Sequence, residues 1–418
     1  MRFNKLALGA VGAVGLFGAL PAAQAVTMTA GDWTFSVNGN VNAHYVYIQC
    51  EDSDSPATVI GGLACLRNAD SGEDKFSNVR TGLLPAAIVF TVATQQNGWD
   101  VSGTFGFYPG IASNDGGSPN LQQGAPAGTN VGLATTGLDV RQVFLKFGNA
   151  SFGTVKMGRD FGIFGFDAII NDMTIPGVGP AVNAVGAPAN TSLGSIGLGY
   201  IYTDTLAQIN YTTPNFSGFT ATVGTFQTID SLTSASSLAT AESVPGFHGQ
   251  LRFEYASGFV SVNGITMDVD CAADPVPGDG DCEDSDAHGF DVNWKQAFGP
   301  VELFLSYYTT EGLGTTALLF YGFDASGDPR DSDGGLAQVT YTLGANKFGL
   351  QYGESNLDGN SGDPGTLLDK NSKITAGYYY AMTPNLTLVA EGSWVKSENQ
   401  DGDENKASSF NVGAFFAF

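Results

Sequence analysis

Four cysteines fall in two close pairs, Cys50 with Cys65 and Cys271 with Cys282, each in a polar, Asp-rich stretch. In an oxidising compartment each pair can close a short loop and stiffen it. A metal centre built from all four thiolates is the alternative chemistry, and it lacks the C-x-x-C spacing such sites use. Carboxylates also cluster, in Glu51-Asp52-Ser53-Asp54, Asp279-Gly280-Asp281-Cys282-Glu283-Asp284 and Asp401-Gly402-Asp403-Glu404. None has the twelve-residue calcium-loop spacing with its closing Glu, so solvated loops account for them better than divalent-cation sites. The three histidines, His44, His248 and His288, stand in no nucleophile or metal setting. No catalytic residue, metal or cofactor is expected.

Disulfide chemistry requires export, and the N-terminus supplies the signal for it. Arg2 and Lys5 precede an apolar stretch from Leu6 to Leu20, and Ala23-Gln24-Ala25 reads as a cleavage site. Residues 1–25 are therefore expected to be a signal peptide, with 26–418 as one mature domain. The formal net charge is −24, and cleavage makes it two units more negative. Such a chain repels nucleic acid, which disfavours a DNA- or RNA-binding role.

The elements that must carry these loops follow from composition and periodicity. Charged residues make up 14%, against about 25% in a typical soluble domain, and Gly is 57 of 418. After residue 25 no run of ~18 apolar residues occurs, which rules out a helical membrane span. Aromatics at 11% and hydrophobics at 43% exceed what a disordered chain carries. Period two organises the rest. Leu251, Phe253 and Tyr255 alternate with Gln250, Arg252 and Glu254, and Phe290, Val292 and Trp294 with Asp291, Asn293 and Lys295. Phe348, Leu350 and Tyr352, then Ile374, Ala376, Tyr378 and Tyr380, repeat the pattern. A soluble sandwich would alternate in the same way with its apolar face inside.

The connections separate the two cases. Short turns rich in Gly, Asn and Pro, such as Gln95-Gln96-Asn97-Gly98 and Thr383-Pro384-Asn385, alternate with long polar loops near 50–75, 110–137, 161–203, 229–246, 269–286, 311–333, 356–370 and 398–406. They delimit sixteen strands, the first near 32–49, the second near 76–94 and the last near 407–418. Short turns at one rim and long loops at the other is the layout of an outer-membrane barrel. The fold expected is all-β, a transmembrane antiparallel β-barrel of about sixteen strands. Its polar rows, Arg252 and Glu254 among them, would line a water-filled interior. The last strand places Phe410, Val412, Ala414, Phe416 and Phe418 on one face, which a lipid belt can absorb.

At this point the chain resembles the Gram-negative general porins, sixteen-stranded trimeric channels, over essentially all of 26–418. Phe152-Gly153-Thr154-Val155-Lys156-Met157-Gly158-Arg159-Asp160 is similar to that family's F-G-x-x-x-x-G-R strand. It runs on through Phe161 to Gly179 like the third loop, which in the family folds into the pore. Val79-Arg80-Thr81-Gly82 resembles the x-R-x-G pattern where the family's basic wall begins, and Arg159 matches its next arginine. Because Arg159 shares a face with Val155 and Met157, the resemblance implies a bulge or strand end that turns it inward. Phe418 matches the terminal aromatic read by the barrel-assembly machinery. Pro176-Gly177-Val178-Gly179 lacks the Glu of many enteric relatives, and Thr203 stands where they carry a further arginine, so the constriction is less polarised.

The resemblance implies an outer-membrane porin for passive diffusion of ions and small hydrophilic solutes. A homotrimer, outer-membrane lipid and lipopolysaccharide, and the assembly machinery are its implied partners. An inward-folded third loop would set Asp160, Asp167 and Asp172 opposite Arg80 and Arg159, and opposed charges make a transverse field. The acidic balance predicts a modest cation preference. A solute-specific channel and a surface-binding or adhesin barrel are the competing readings, and an enzyme is disfavoured.

Overall fold

The computed structural model describes residues 25–51, 57–65, 73–111, 138–181, 191–230, 240–241, 244–270 and 285–418. Residues 1–24, which make up all but the last residue of the expected signal peptide, and Cys271 and Cys282, the second expected cysteine pair, lie outside the described residues. In chain order the strands are β1 (Val26–Ala30), β2 (Trp33–Cys50), β3 (Lys75–Arg80), β4 (Ala87–Gln96), β5 (Trp99–Pro109), β6 (Leu138–Asn149), β7 (Gly153–Phe161), β8 (Thr205–Thr212), β9 (Phe219–Phe226) and β10 (Thr240–Ala241). There follow β11 (Gly246–Tyr255), β12 (Gly258–Asp270), β13 (Ser285–Phe298), β14 (Val301–Glu311), β15 (Asp331–Leu343), β16 (Asn346–Leu357), β17 (Leu368–Ala381), β18 (Leu386–Asn399) and β19 (Glu404–Ala417). A short helix, α1 (Phe166–Asn171), follows β7.

Each strand from β4 to β9 pairs antiparallel with the next, β9 pairs with β11, and β11 to β19 continue the series. β19 then pairs with β2, whose other edge holds β3 and β4 end to end. Counting β3 and β4 as one position, the sheet closes into a sixteen-stranded barrel. β1 forms a hairpin on the start of β2 that the sequence reading did not anticipate.

Exposure decides what surrounds it. On β16 Leu350 is 53% exposed and its neighbour Gln351 1%. The register carries that parity around the wall. Val339, Leu350 and Ala376 lie level on the outward face, while Gln338, Gln351, Thr375 and Ser393 lie level on the inward one. A soluble sandwich hides its apolar alternates, and this barrel displays them, as a lipid solvent requires. Aromatic side chains gather near the turn ends: Phe152 meets Trp99 at 5.2 Å and Tyr211 at 5.6 Å. The turn between β4 and β5 places Asn97 and Gly98 at φ 51° and 80°, the left-handed pair that a two-residue hairpin needs.

Two expectations change. The strand foreseen over 76–94 is broken into β3 and β4, because the backbone donors between them bond elsewhere. Gly82 donates to Asn42 Oδ1 at 2.8 Å and Leu83 to the Gly177 carbonyl at 2.8 Å, and Pro85 has no N–H to offer a ladder. Nor is the inner face polar throughout. Near the long-loop rim Ile265, Met267 and Val269 of β12 pack with Leu313, Leu318, Leu319 and Phe323 of the β14–β15 loop. Val46 and Ile48 of β2 join Leu63, Ile175, Val178 and Leu198 in a second cluster. Each such side chain contributes about 1.5–3 kcal/mol on burial. The long loops thus cover part of the mouth with an apolar layer.

Candidate functional site

The segment from Gly162 to Asp204 leaves β7 and returns to β8, and its hydrogen bonds trace a path. Gly165, at φ 73°, turns the chain into α1 and donates to Asp291 Oδ2 on β13 at 2.8 Å. Asp167 accepts from Arg252 Nη1 on β11 at 2.8 Å and from Ser261 Oγ on β12 at 2.5 Å. Met173 donates to Gln338 Oε1 on β15 at 2.7 Å, and Gln351 of β16 donates to Asp172 at 2.9 Å. Val178 and Gly179 both donate backbone N–H groups to Glu391 Oε2 on β18, at 2.9 and 2.8 Å. Ala181 reaches Ser409 of β19 at 3.3 Å. The wall groups in this series belong to the inward rows of β11, β12, β13, β15, β16, β18 and β19. At Gly82 the approach is close enough that a methyl would overlap the Gly177 carbonyl.

The return limb locks onto the outgoing one. Ser192 Oγ donates to the Val178 carbonyl at 2.6 Å, and Gly199 donates to Ser355 Oγ at 3.0 Å. Ser195 and Tyr200 donate their hydroxyls to Asp172 Oδ2 at 2.6 and 2.9 Å, and Thr174 donates to its other oxygen. Burial alone would push the Asp172 carboxyl up. Lys373 and these donors outweigh it and hold the group below the usual carboxylate range. Burial, then the Asp172 charge, pushes the Tyr200 phenol well up.

The residues singled out in the sequence distribute unevenly. Asp167, Arg252 and Glu254 come together: Arg252 also donates to Glu254 Oε1 at 2.8 Å and lies 3.7 Å from the centre of the Phe259 ring. Asp160 accepts from Lys156 Nζ at 2.7 Å and Gln142 Nε2 at 2.8 Å. Arg80, on the inward row of β3, donates to the Thr191 carbonyl. Arg159 is not turned inward. It stays level with the outward-facing Val143 and Ala207 and donates to Thr205 Oγ1 at 2.7 Å. The three carboxylates expected to face an arginine wall each bond instead to a wall strand or within the loop. Glu391, Asp291 and Lys373, which the loop engages, were not singled out as site residues, although Asp291 was read on a polar row. Their signal was parity, since each occupies a polar position in an otherwise apolar alternation.

Cys50, the last residue of β2, is bonded to Cys65, with Cα atoms 5.1 Å apart. The bridge holds the 57–65 segment over the mouth, where Leu63 donates to Ser397 Oγ at 2.8 Å and Asn405 donates to the Ala57 carbonyl at 2.8 Å. Phe418 exchanges two backbone hydrogen bonds with Gly39, at 2.9 and 3.0 Å, where β19 meets β2. Among the described residues no group of three or more His, Cys, Asp and Glu side chains converges to hold a metal.

A family model for Gram-negative porins matches residues 9–400. No curated protein matches the chain. Among solved structures, the outer-membrane channel DcaP of Acinetobacter baumannii superposes with a TM-score of 0.66 at 14% identity, covering 94% of this chain and 100% of that one. The anion-selective porin from Comamonas acidovorans gives 0.60 at 14% identity, covering 92% and 100%. OmpF of Salmonella typhi, in complex with daunomycin, gives 0.57 at 14% identity, covering 94% and 100%. At such identities these likenesses show the fold.

Proposed function

The chain belongs to the Gram-negative porin family, and from that premise we propose how its channel sieves solutes. As a porin it is an outer-membrane channel for passive diffusion. The observation that carries the finer reading is the run of hydrogen bonds from Gly165 to Ala181 along the inward rows. A segment held against the polar face narrows the lumen of a sixteen-stranded barrel, which would otherwise be wide. The solutes are ions and small hydrophilic molecules. Phe418, as the assembly signal, and a cleaved 1–25 segment belong to the same reading, as do a homotrimer and contact with lipopolysaccharide.

Ion preference is set at the mouth. Asp324, Asp328, Asp331, Asp358, Asp401 and Asp403 all lie in or beside long loops of the described part, and a negative rim concentrates cations. The preference is modest, because the constriction carboxylates are bonded to their neighbours. The test is planar-bilayer recording. Unit currents in triplet steps, with a reversal potential favouring K⁺ across a tenfold KCl gradient, are expected. Screening should weaken the bias, since the Debye length falls from ~30 Å at 0.01 M to ~3 Å at 1 M. A potential favouring Cl⁻ would refute the cation reading, and an absence of unit currents would refute the channel.

A further inference from the structure

We propose that the outer surface of the wall carries a lipid site along β15. It is a groove for one acyl chain, ended at the long-loop rim by Asp333 and Glu354, which take the ammonium head of a phosphatidylethanolamine. The inference rests on the barrel's place in a membrane and is independent of how the lumen sieves.

The register makes the groove. Across β13 to β16 one outward row reads Trp294, Leu305, Ala337 and Tyr352. The next row towards the long loops reads Val292, Tyr307, Gly335 and Glu354. In both rows β15 supplies the smallest side chain, set between larger ones, so a depression runs along that strand. It measures about 600 Å³, inside the range of about 300–1,000 Å³ common to small-molecule sites. The next outward residue of β15, the exposed Val339, ends it. Leu305, Tyr307 and Tyr352 are exposed large side chains on a face that the fold turns to lipid. An unfilled dent there would deprive its lining of contacts on one side. The occupant that a bilayer offers is a hydrocarbon chain.

The rim end selects the head group. Asp333 follows Gly335 on the outward row of β15 and accepts from Asn356 Nδ2 at 3.2 Å and from the Tyr307 hydroxyl at 3.4 Å. Both donors are neutral, and among the described residues Asp333 has no ion-pair partner. Glu354 accepts from the Tyr352 hydroxyl and lies 3.4 Å from Lys370 Nζ. Two carboxylates thus share one ammonium, and this end of the groove is one positive charge short. A primary ammonium supplies that charge with charge-assisted hydrogen bonds. Lys370, beside Glu354, offers a cation to the phosphodiester that accompanies it. A head group that is anionic throughout meets like charge at Asp333 instead.

The test is native mass spectrometry of the folded protein in detergent. It is titrated with palmitoyl-oleoyl phosphatidylethanolamine, with phosphatidylglycerol of the same chains, and with lipid A with and without magnesium. Wild type should take one phosphatidylethanolamine saturably, at least about tenfold more tightly than phosphatidylglycerol, the size expected for a hydrogen bond to a charged group. Asp333→Asn should shrink that preference to within about threefold. Ala337→Phe fills the groove and should weaken both phospholipids by at least about fivefold, the scale of lost apolar contact. Both substituted side chains face outward, so the barrel should persist, and heat-modifiable mobility checks it. The wild-type comparison stands without either variant. Equal affinity of wild type for the two phospholipids, or binding unchanged by Ala337→Phe, would overturn the site. Magnesium-dependent lipid A that displaces phosphatidylethanolamine would overturn the head-group assignment.

Discussion

Asp167 and Arg252, 85 positions apart in the chain, meet as a 2.8 Å ion pair that ties α1 to β11. The Asp167 side chain is 3% exposed, and Ser261 and Gln250 donate to its second oxygen. Arg252 keeps Glu254 and the Phe259 ring as further partners, so the anchor does not depend on one contact.

Asp167→Asn should therefore loosen the loop without unfolding the barrel. Charged hydrogen bonds contribute about 1.5–3 kcal/mol, so local opening of 163–171 should rise roughly tenfold or more. Hydrogen exchange of α1 amides and open-channel current noise report it. Equal exchange and equal noise in both proteins would show that the ion pair anchors nothing.

Cys65→Ser should release the 57–65 segment from the mouth. Closing a loop of about 15 residues is worth about 3 kcal/mol in the chain-entropy model, and the segment's hydrogen bonds to Ser397 and Asn405 must then hold it alone. A larger unit conductance and faster proteolysis within 57–65 are expected. Unchanged conductance would mean that the apolar layer holds the segment without the bridge.

Asp204, at the foot of the return limb, has its carboxyl pushed up to about 6, chiefly by burial. The Thr205 N–H, Arg159 and Arg141 oppose the rise, and Asp139 adds to it. A folded value above the usual ~3.9 means that the charged form costs stability. The packing around it is then firmest below about pH 4, weakens as pH rises from there to about 6, and levels off above. Asp204→Asn should abolish that slope and stabilise the limb at pH 7.5 by roughly 3 kcal/mol at most. Asn also suits the residue's φ of 54°. Hydrogen exchange of 200–206 at pH 5 and 7.5, corrected for intrinsic rates, measures it. Wild-type protection that is equal at the two values would refute the assignment.

Removing Phe418 deletes the two backbone bonds to Gly39 and the partner of the Phe416 ring, 6.0 Å away. Slower appearance of the heat-modifiable barrel is expected in assembly assays. Indistinguishable insertion rates for the two proteins would leave the terminal aromatic without that role.

The barrel was legible because period-two alternation and alternating connection lengths are local signals. Leu350 and Gln351 betray their opposite faces in two letters. The inner surface was less so. Glu391 sits between Ala390 and Gly392 in an ordinary strand pattern, and only the register reveals that Val178 and Gly179 reach it from more than 200 residues away. Val46 and Ile48 broke the polar rule for the same reason, since what they face is a loop whose course no local pattern encodes. Arg159 shows the limit of resemblance: strand parity kept it on the outward row that its neighbours Val155 and Met157 indicated.

The path from Gly165 to Ala181 also makes the barrel mechanically uneven. Its bonds fall on β11, β12, β13, β15, β16, β18 and β19, together with the corner at Leu83, like a batten fastened along part of a cylinder. Lateral pressure from the bilayer squeezes every side alike, but a cross-section stiffened on one arc yields on the other. Ovalisation should then be taken up by β4 to β9, so changes in membrane tension would reshape that arc first.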